Sequence, residues 1–222
     1  MGLLLFIVTL AATLLVQLWL RRTYSRWSKE SNASGLTGAQ TARAILDANG
    51  LSSVRVEAVP GQLSDHYDPR TRTVRLSEDN FNRASVAGSA VAAHEVGHAI
   101  QHARAYAPLT WRSALVPVAG IGSNFGPIIV VVGAMLGAAG LVQVGIVLFA
   151  AAVVFQLVTL PVEFDASRRA LTQMQSLGLA TTGDAGGSRQ VLNAAAMTYV
   201  AAAAASVAYL LYYLSMFMGG DE

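Results

Sequence analysis

Three of the four histidines of this chain lie in one short segment, "AVAAHEVGHAIQH", at intervals of four residues. On an α-helix, residues four apart project from one face, so His94 and His98 can direct their imidazole rings at one metal ion. The chain has no cysteine, so a metal would be held by histidine, carboxylate or carbonyl groups. This spacing predicts a zinc site. The alternative is a pair of helix histidines satisfied by hydrogen bonds.

Glu95 follows the first candidate ligand directly. From this position a carboxylate can take the proton of a zinc-activated water without displacing that water. The attack of that water on a carbonyl group is metal-assisted hydrolysis. We therefore predict that Glu95 is the general base of a hydrolytic reaction.

The third ligand must come from elsewhere in the chain. His102 is about 12 Å further along the helix than His94, too far to reach the same ion. We expect His102 either to contact a metal ligand without contacting the metal, or to lie at the surface. Glu163, in "LPVEFDASRRA", is the better candidate, because a carboxylate close to hydrocarbon is costly without a partner. The alternatives for Glu163 are a helix-start carboxylate and an ion-pair partner of Arg168.

The elements that position these residues are largely apolar. Hydrophobic residues make up 54% of the chain and charged residues 13%, against about 25% charged in soluble domains. Long uncharged runs predict four membrane spans. The predicted organisation is a first span (1–20), a domain with the "HEVGH" helix (21–112), a hairpin of two spans (113–160), a third-ligand segment (161–193), and a fourth span with a short tail (194–222).

The basic residues indicate the orientation of the spans. All 15 lysines and arginines lie either in residues 21–112 or between the third and fourth predicted spans. The positive-inside rule then places both segments in the cytoplasm and both termini outside. Because the hairpin crosses twice, Glu163 returns to the side of His94. The net charge of +2 is too small to suggest nucleic-acid binding.

The 21–112 segment has a mixed α and β pattern. "LTGAQTARAILDANGL" predicts a helix capped by Thr37 and ended by Gly50. "VRVEAVP" and "TVRLS" alternate as strands, and the intervening "GQLSDHYDPRTR" is rich in turn formers. A longer helix, from about Ser85 to Tyr106, carries the histidines. We predict a mainly α membrane protein with a small cytoplasmic α+β, zincin-like domain.

Four segments together carry a resemblance: "HYDP", "VAAHEVGHAIQH", "LPVEFDASRRAL" and "VLNAAAMTYVAAA". They resemble the YugP-type neutral zinc metallopeptidases, small bacterial membrane proteins. More distantly they resemble the HtpX and CAAX prenyl protease clan of membrane gluzincins. The resemblance implies one zinc ion bound by His94, His98 and Glu163, with Glu95 as the base. It also implies a multi-pass protein of the bacterial inner membrane with its active site on the cytoplasmic side.

The likeness to the wider clan has one departure. The clan has an aspartate four residues after the ligand glutamate, which supports a histidine, whereas this chain has Ser167 there. Asp165 is two residues after Glu163, about 200° around a helix, and should face away from the metal. His102 or Asn193 could orient a ligand instead, although helix capping or a hydrogen bond between helices is the alternative role of Asn193.

The likeness also suggests how substrate binds. In gluzincins a strand beside the active helix pairs with extended substrate, and "TRTVRLS" is the predicted strand here. His66 and Tyr67, just before it, are candidate donors to a developing oxyanion, and the alternative is a purely structural polar turn.

These features predict a zinc-dependent endopeptidase that cleaves membrane or membrane-proximal proteins. An intramembrane site-2 protease is disfavoured because Arg83 and Arg104 bracket the histidines. The alternative is a catalytically silent zinc-binding scaffold, or a regulator of a larger protease assembly. Its small-residue spans would suit a membrane protein partner or a homo-oligomer.

Overall fold

The structure is a computed structural model that describes residues 2–218. The predicted fourth span with its tail (194–222) therefore extends beyond the described residues at its last four positions, and the predicted first span (1–20) does so at its first position. In chain order the elements are α1 (Gly2–Trp27), α2 (Gly38–Ala48), β1 (Arg55–Val59), β2 (His66–Asp68), β3 (Thr73–Ser77), α3 (Glu78–Asn82), α4 (Val86–Ala103), α5 (Ala107–Met135), α6 (Ala139–Ser176) and α7 (Thr182–Met218).

Four of these helices, α1, α5, α6 and α7, are long and apolar enough to cross a membrane. Many of their large apolar side chains are exposed, for example Leu3 and Val147. Exposed apolar patches of this extent are unfavourable in water, and a bilayer removes that cost. The prediction of a mainly α membrane protein with four candidate spans and a small sheet is confirmed.

The chain divides into two compact units. The apolar unit comprises the described residues up to Val16, Ala107–Pro161, and the described residues from Thr198 to Met218. The second unit comprises Gln17–Tyr106 and Val162–Met197. All the candidate site residues belong to this second unit.

Helix α2 forms one wall of the core of the second unit. Thr37 caps it as predicted, because its side chain accepts a hydrogen bond from the Gln40 N–H while the Gln40 side chain accepts one from the Thr37 N–H. Gly50 follows the helix with φ of 70°, a conformation that glycine adopts without strain. The buried face of α2 packs against α4 and β3 in one apolar cluster that includes Ile45, Leu46, Val74, Leu76 and Val96.

The sheet corrects one expectation about substrate binding. Its order is β1-β3-β2, with β1 parallel and β2 antiparallel to β3. The expectation that "TRTVRLS" pairs with substrate is wrong, because β3 is the central strand and has a partner on each side. The free edges of this sheet belong to β1 and β2.

Two elements of the second unit were not predicted. Strand β2 lies inside the segment assigned to turns, and it is only three residues long, too short for a visible alternation. Helix α3 is a five-residue helix directly after β3. The predicted order of helix, strand, strand and helix therefore lacks β2 and α3.

Helix α4 begins where expected and ends early. Ser85 caps it by accepting a hydrogen bond from the Gly88 N–H at 3.0 Å. The helix ends at Ala103 rather than at Tyr106, because Ala105 adopts a left-handed conformation with φ of 49°.

Helix α6 is a continuous helix of 38 residues that includes Pro161. Glu163 therefore lies well inside it, and the alternative explanation of Glu163 as a helix-start carboxylate is wrong. The other alternative named Arg168 as the partner of Glu163, whereas the guanidinium of Arg168 contacts the carboxylate of Asp165.

Candidate metal centre

Helix α4 places two imidazole rings side by side. His94 and His98 are one turn apart, and their ring centroids are 4.8 Å apart at an interplanar angle of 84°. Their side chains are 14% and 12% exposed, so a small molecule can reach them although most of each ring is buried. This is the arrangement expected of two ligands on one helix face.

Helix α6 brings a carboxylate to the same place. Glu163 Oε2 lies 3.2 Å from His94 Nε2 and 3.6 Å from His98 Nε2, and the Glu163 side chain is buried. One ligand atom from each of the three residues lies within 4.8 Å of the others. A tetrahedral zinc ion with bonds of about 2.0 Å has ligand atoms about 3.3 Å apart. The donor set and spacing therefore fit a zinc ion, and the group could hold one.

Glu95 lies on α4 between the two histidines in sequence. Its side chain is buried, and burial raises the pKa of its carboxyl above the ordinary value, although His94 and His98 oppose the shift. Glu95 is not a member of the three-residue group.

Burial is the largest single influence on the pKa of His98 and lowers it, but the contacts with Glu163 and Gln101 and the charge of Glu95 together outweigh burial, so the net shift is upward. A proton and a metal therefore compete for this ring.

The Nδ1 atoms of both histidines have partners that the sequence did not reveal as such. His94 Nδ1 lies 3.1 Å from the Ser167 hydroxyl oxygen. His98 Nδ1 lies 3.0 Å from the Gln101 amide oxygen. Partners on Nδ1 leave Nε2 of each ring directed at Glu163. The sequence marks Ser167 as a departure from the clan pattern but carries no signal for Gln101.

Comparison with known proteins points in the same direction. A family model described as "Putative neutral zinc metallopeptidase" matches residues 2–218. The chain belongs to this family. It is also 45% identical over 222 residues to the "Putative membrane protease YugP" of Bacillus subtilis (strain 168), covering 98% of this chain and 99% of that protein. No solved structure matches the chain.

Family membership confirms the resemblance drawn from the four sequence segments. A zinc metallopeptidase acts on proteins or peptides, and the four apolar helices imply a lipid bilayer around this one. The three-residue group is the candidate zinc site of this chain.

The remaining predicted site residues lie outside this group. His102 Nδ1 is 2.8 Å from the Tyr67 hydroxyl oxygen, and His102 is exposed. His66 is exposed, with Nδ1 2.8 Å from its neighbouring Ser64 carbonyl oxygen. Asn193 is exposed on α7. Within residues 2–218, neither His66 nor His102 joins the three-residue group.

Proposed function

We propose that this protein is a zinc-dependent membrane endopeptidase that hydrolyses peptide bonds of membrane or membrane-proximal proteins. The observation that carries the proposal is the convergence of His94 Nε2, His98 Nε2 and Glu163 Oε2. Two histidines and one glutamate are a common ligand set of catalytic zinc, which leaves a coordination position for water or substrate. The proposal includes one zinc ion per chain, held in a zincin-like domain of gluzincin type, and this ligand set supports it.

The hydrolytic chemistry divides between the metal and one carboxylate. A zinc ion in this group would polarise a peptide carbonyl and lower the pKa of a water molecule to about 7. Glu95 takes the proton of the attacking water and delivers it to the leaving nitrogen. Burial raises the pKa of Glu95 towards the working pH, which suits a group that must both accept and release a proton.

We propose β2 as the strand that binds substrate, in place of β3. An extended peptide adds to the free edge of a sheet, and β2 is an edge strand. Its Tyr67 hydroxyl contacts His102 of α4, so β2 borders the helix that carries the ligands. Burial raises the pKa of Tyr67, so its phenol stays protonated and can donate to a developing oxyanion.

We place the active site on the cytoplasmic face of the bacterial inner membrane. The support is the distribution of all 15 lysines and arginines, which lie in or beside the segments that contain the site residues. A site there would meet membrane proteins and the peptide segments that emerge beside the bilayer.

The test separates an enzyme from a silent zinc-binding scaffold. Purified protein in detergent would be assayed against casein and a fluorogenic peptide library, with chelator and with zinc restored. We expect cleavage that the chelator removes and zinc restores. Glu95→Gln should keep one zinc per chain and lose at least about 100-fold in activity, because proton transfer contributes about 10²–10⁴ to such rates.

Two results would overturn the proposal. Full activity of Glu95→Gln would remove Glu95 as the base. A zinc-loaded wild-type protein that cleaves no substrate, in detergent or in lipid nanodiscs, would support the scaffold.

A further inference from the structure

Gln101 is a polar residue with no exposed surface, on the helix that carries the ligands. Its amide oxygen lies 3.0 Å from His98 Nδ1. Its amide nitrogen donates to the Val162 carbonyl at 2.8 Å and to Asp165 Oδ2 at 3.0 Å. Both amide hydrogens are thus satisfied in the interior, where an unpaired polar group is costly.

The two acceptors fix the orientation of this amide. A backbone carbonyl and a carboxylate accept hydrogen bonds and cannot donate them, so the nitrogen of Gln101 must face Val162 and Asp165. The amide oxygen must then face His98. Because that oxygen can only accept, His98 Nδ1 must carry the hydrogen. In a neutral imidazole the other nitrogen, Nε2, then has the free lone pair that a metal requires.

Asp165 is held in turn by two arginines. Its side chain is 4% exposed, and its two oxygens contact the guanidinium groups of Arg168 and Arg169. These contacts favour the ionised carboxylate, which can only accept from Gln101. A continuous chain of contacts therefore links this pair of arginines, through Asp165 and Gln101, to His98.

The Nδ1 partner of the other histidine gives no such constraint. Ser167, next to His94 Nδ1, carries a hydroxyl that can donate or accept. The partners on Nδ1 therefore specify the Nδ1–H tautomer for His98 and specify none for His94, whose Nε2 lies 3.2 Å from Glu163 Oε2.

We propose that Gln101, oriented by Asp165, is a positioning residue that holds His98 as the Nδ1–H tautomer with Nε2 directed at the metal. The proposal rests on the metal-binding part of the proposed function and is independent of catalysis.

The tautomer can be measured directly. The full-length chain, labelled with ¹⁵N-histidine and stripped of metal in detergent micelles, would be examined by long-range ¹H–¹⁵N NMR at alkaline pH, where the ring is neutral. The His98 signals would be assigned by their loss in His98→Asn. We expect the Nδ1–H form in the wild type and a mixture of tautomers in Gln101→Met. The Nε2–H form in the wild type would overturn the proposal.

Zinc affinity provides a second readout, measured by competition with a chelator. Gln101→Met should weaken binding about 10- to 100-fold, in the range found when the partners of ligands are removed. Gln173→Met is the matched control. Gln173 of α6 accepts a hydrogen bond from Asn49, directly after α2, at 2.8 Å, so it also links two parts of the fold. This contact is separate from the contacts of Gln101 with His98 and Asp165. An unchanged zinc affinity in a folded Gln101→Met protein would contradict the proposal.

A rescue distinguishes positioning from packing. Gln101→Glu keeps an acceptor for His98 but sets a carboxylate against Asp165, so it should also bind zinc more weakly. Adding Asp165→Asn restores a donor opposite the new carboxylate. We expect the double variant to bind zinc at least about 5-fold more tightly than Gln101→Glu alone. Additive losses would mean that Gln101 serves packing alone, and would overturn the proposal. An absence of proteolysis in every variant would contradict the proposed function and leave these affinities interpretable.

Discussion

Gly97 of α4 lies directly against the backbone of Ala166 of α6. A Cβ atom at position 97 would be 2.6 Å from the Ala166 carbonyl oxygen, closer than real Cβ atoms come. Gly97 lies between the two histidines in sequence, and Ala166 lies between Glu163 and Ser167. The two helices therefore approach each other closely beside the candidate zinc site, and this contact influences how far the carboxylate is from the imidazole rings.

Gly97→Ala should separate the two helices and weaken zinc binding. The atom in the way is backbone, so no side chain can move aside, and such overpacking costs about 1–3 kcal/mol. We expect zinc affinity to fall at least about 10-fold, because the carboxylate moves relative to both rings. Chelator competition measures the affinity and a thermal melt measures the stability.

Gly120→Ala is the matched control for this substitution. Gly120 is also a helical glycine, and a Cβ there would meet nothing within 4 Å. Zinc binding by Gly97→Ala at the level of the wild type and of this control would show that α6 is not positioned by the contact.

Glu163→Ala should lose zinc, whereas His102→Ala should keep it. Removing the carboxylate leaves two neutral imidazoles, which bind zinc far more weakly than the three-ligand set. His102 instead contacts Tyr67, so its loss should leave close to one zinc per chain. Metal analysis of the two purified proteins after dialysis measures the zinc content per chain. Loss of zinc from His102→Ala, with Glu163→Ala unaffected, would give His102 the ligand role.

The sequence was sufficient for features that depend on local spacing. The four-residue interval of His94 and His98 defines one helix face, and Thr37 with Gln40 three residues later defines a helix start. The spans follow from long uncharged runs. Each of these patterns lies within one element, so no knowledge of the packing was required.

Features that depend on how α6 is rotated against α4 could not be obtained in this way. Asp165 lies outside the three-residue group, as its helical angle predicted, yet it reaches His98 through Gln101. That link requires the close approach at Gly97, which joins helices far apart in sequence. Strand β2 was missed because three residues among turn formers carry no period.

Ser167 should support His94 more weakly than an aspartate would. Its hydroxyl is a neutral partner for His94 Nδ1 at 3.1 Å, whereas a carboxylate would fix the Nδ1–H tautomer and make Nε2 a stronger ligand. We expect Ser167→Ala to weaken zinc binding several-fold and Ser167→Asp to strengthen it, both measured by chelator competition. Equal affinities in the two variants would show that this contact does not influence the metal.

Strand β2 should be stabilised by Asp68 in a pH-dependent way. The Asp68 carboxylate accepts hydrogen bonds from the Thr71 hydroxyl at 2.7 Å, from Arg75 at 2.9 Å and from the Arg70 N–H at 2.9 Å. These contacts hold the pKa of Asp68 well below its ordinary value, and the hydrogen bond from Thr71 contributes most to this shift. An unfolded chain has an aspartate pKa of about 3.9, so the folded state binds this proton less tightly.

The contribution of Asp68 is therefore complete above that pH and is lost as the pH falls towards the folded pKa. Asp68→Asn should lower the free energy of unfolding at neutral pH, and its difference from the wild type should shrink as the pH falls below about 4. Urea unfolding in detergent at a series of pH values, with hydrogen exchange at the β2 and β3 amides, measures both. Thr71→Val, which removes one donor at nearly constant volume, should raise the folded pKa of Asp68, so that the loss of stability is smaller and is complete at a higher pH. If the difference in free energy of unfolding between Asp68→Asn and the wild type stays constant from pH 7 to pH 3, the Asp68 carboxylate does not stabilise the β2–β3 pair that carries Tyr67.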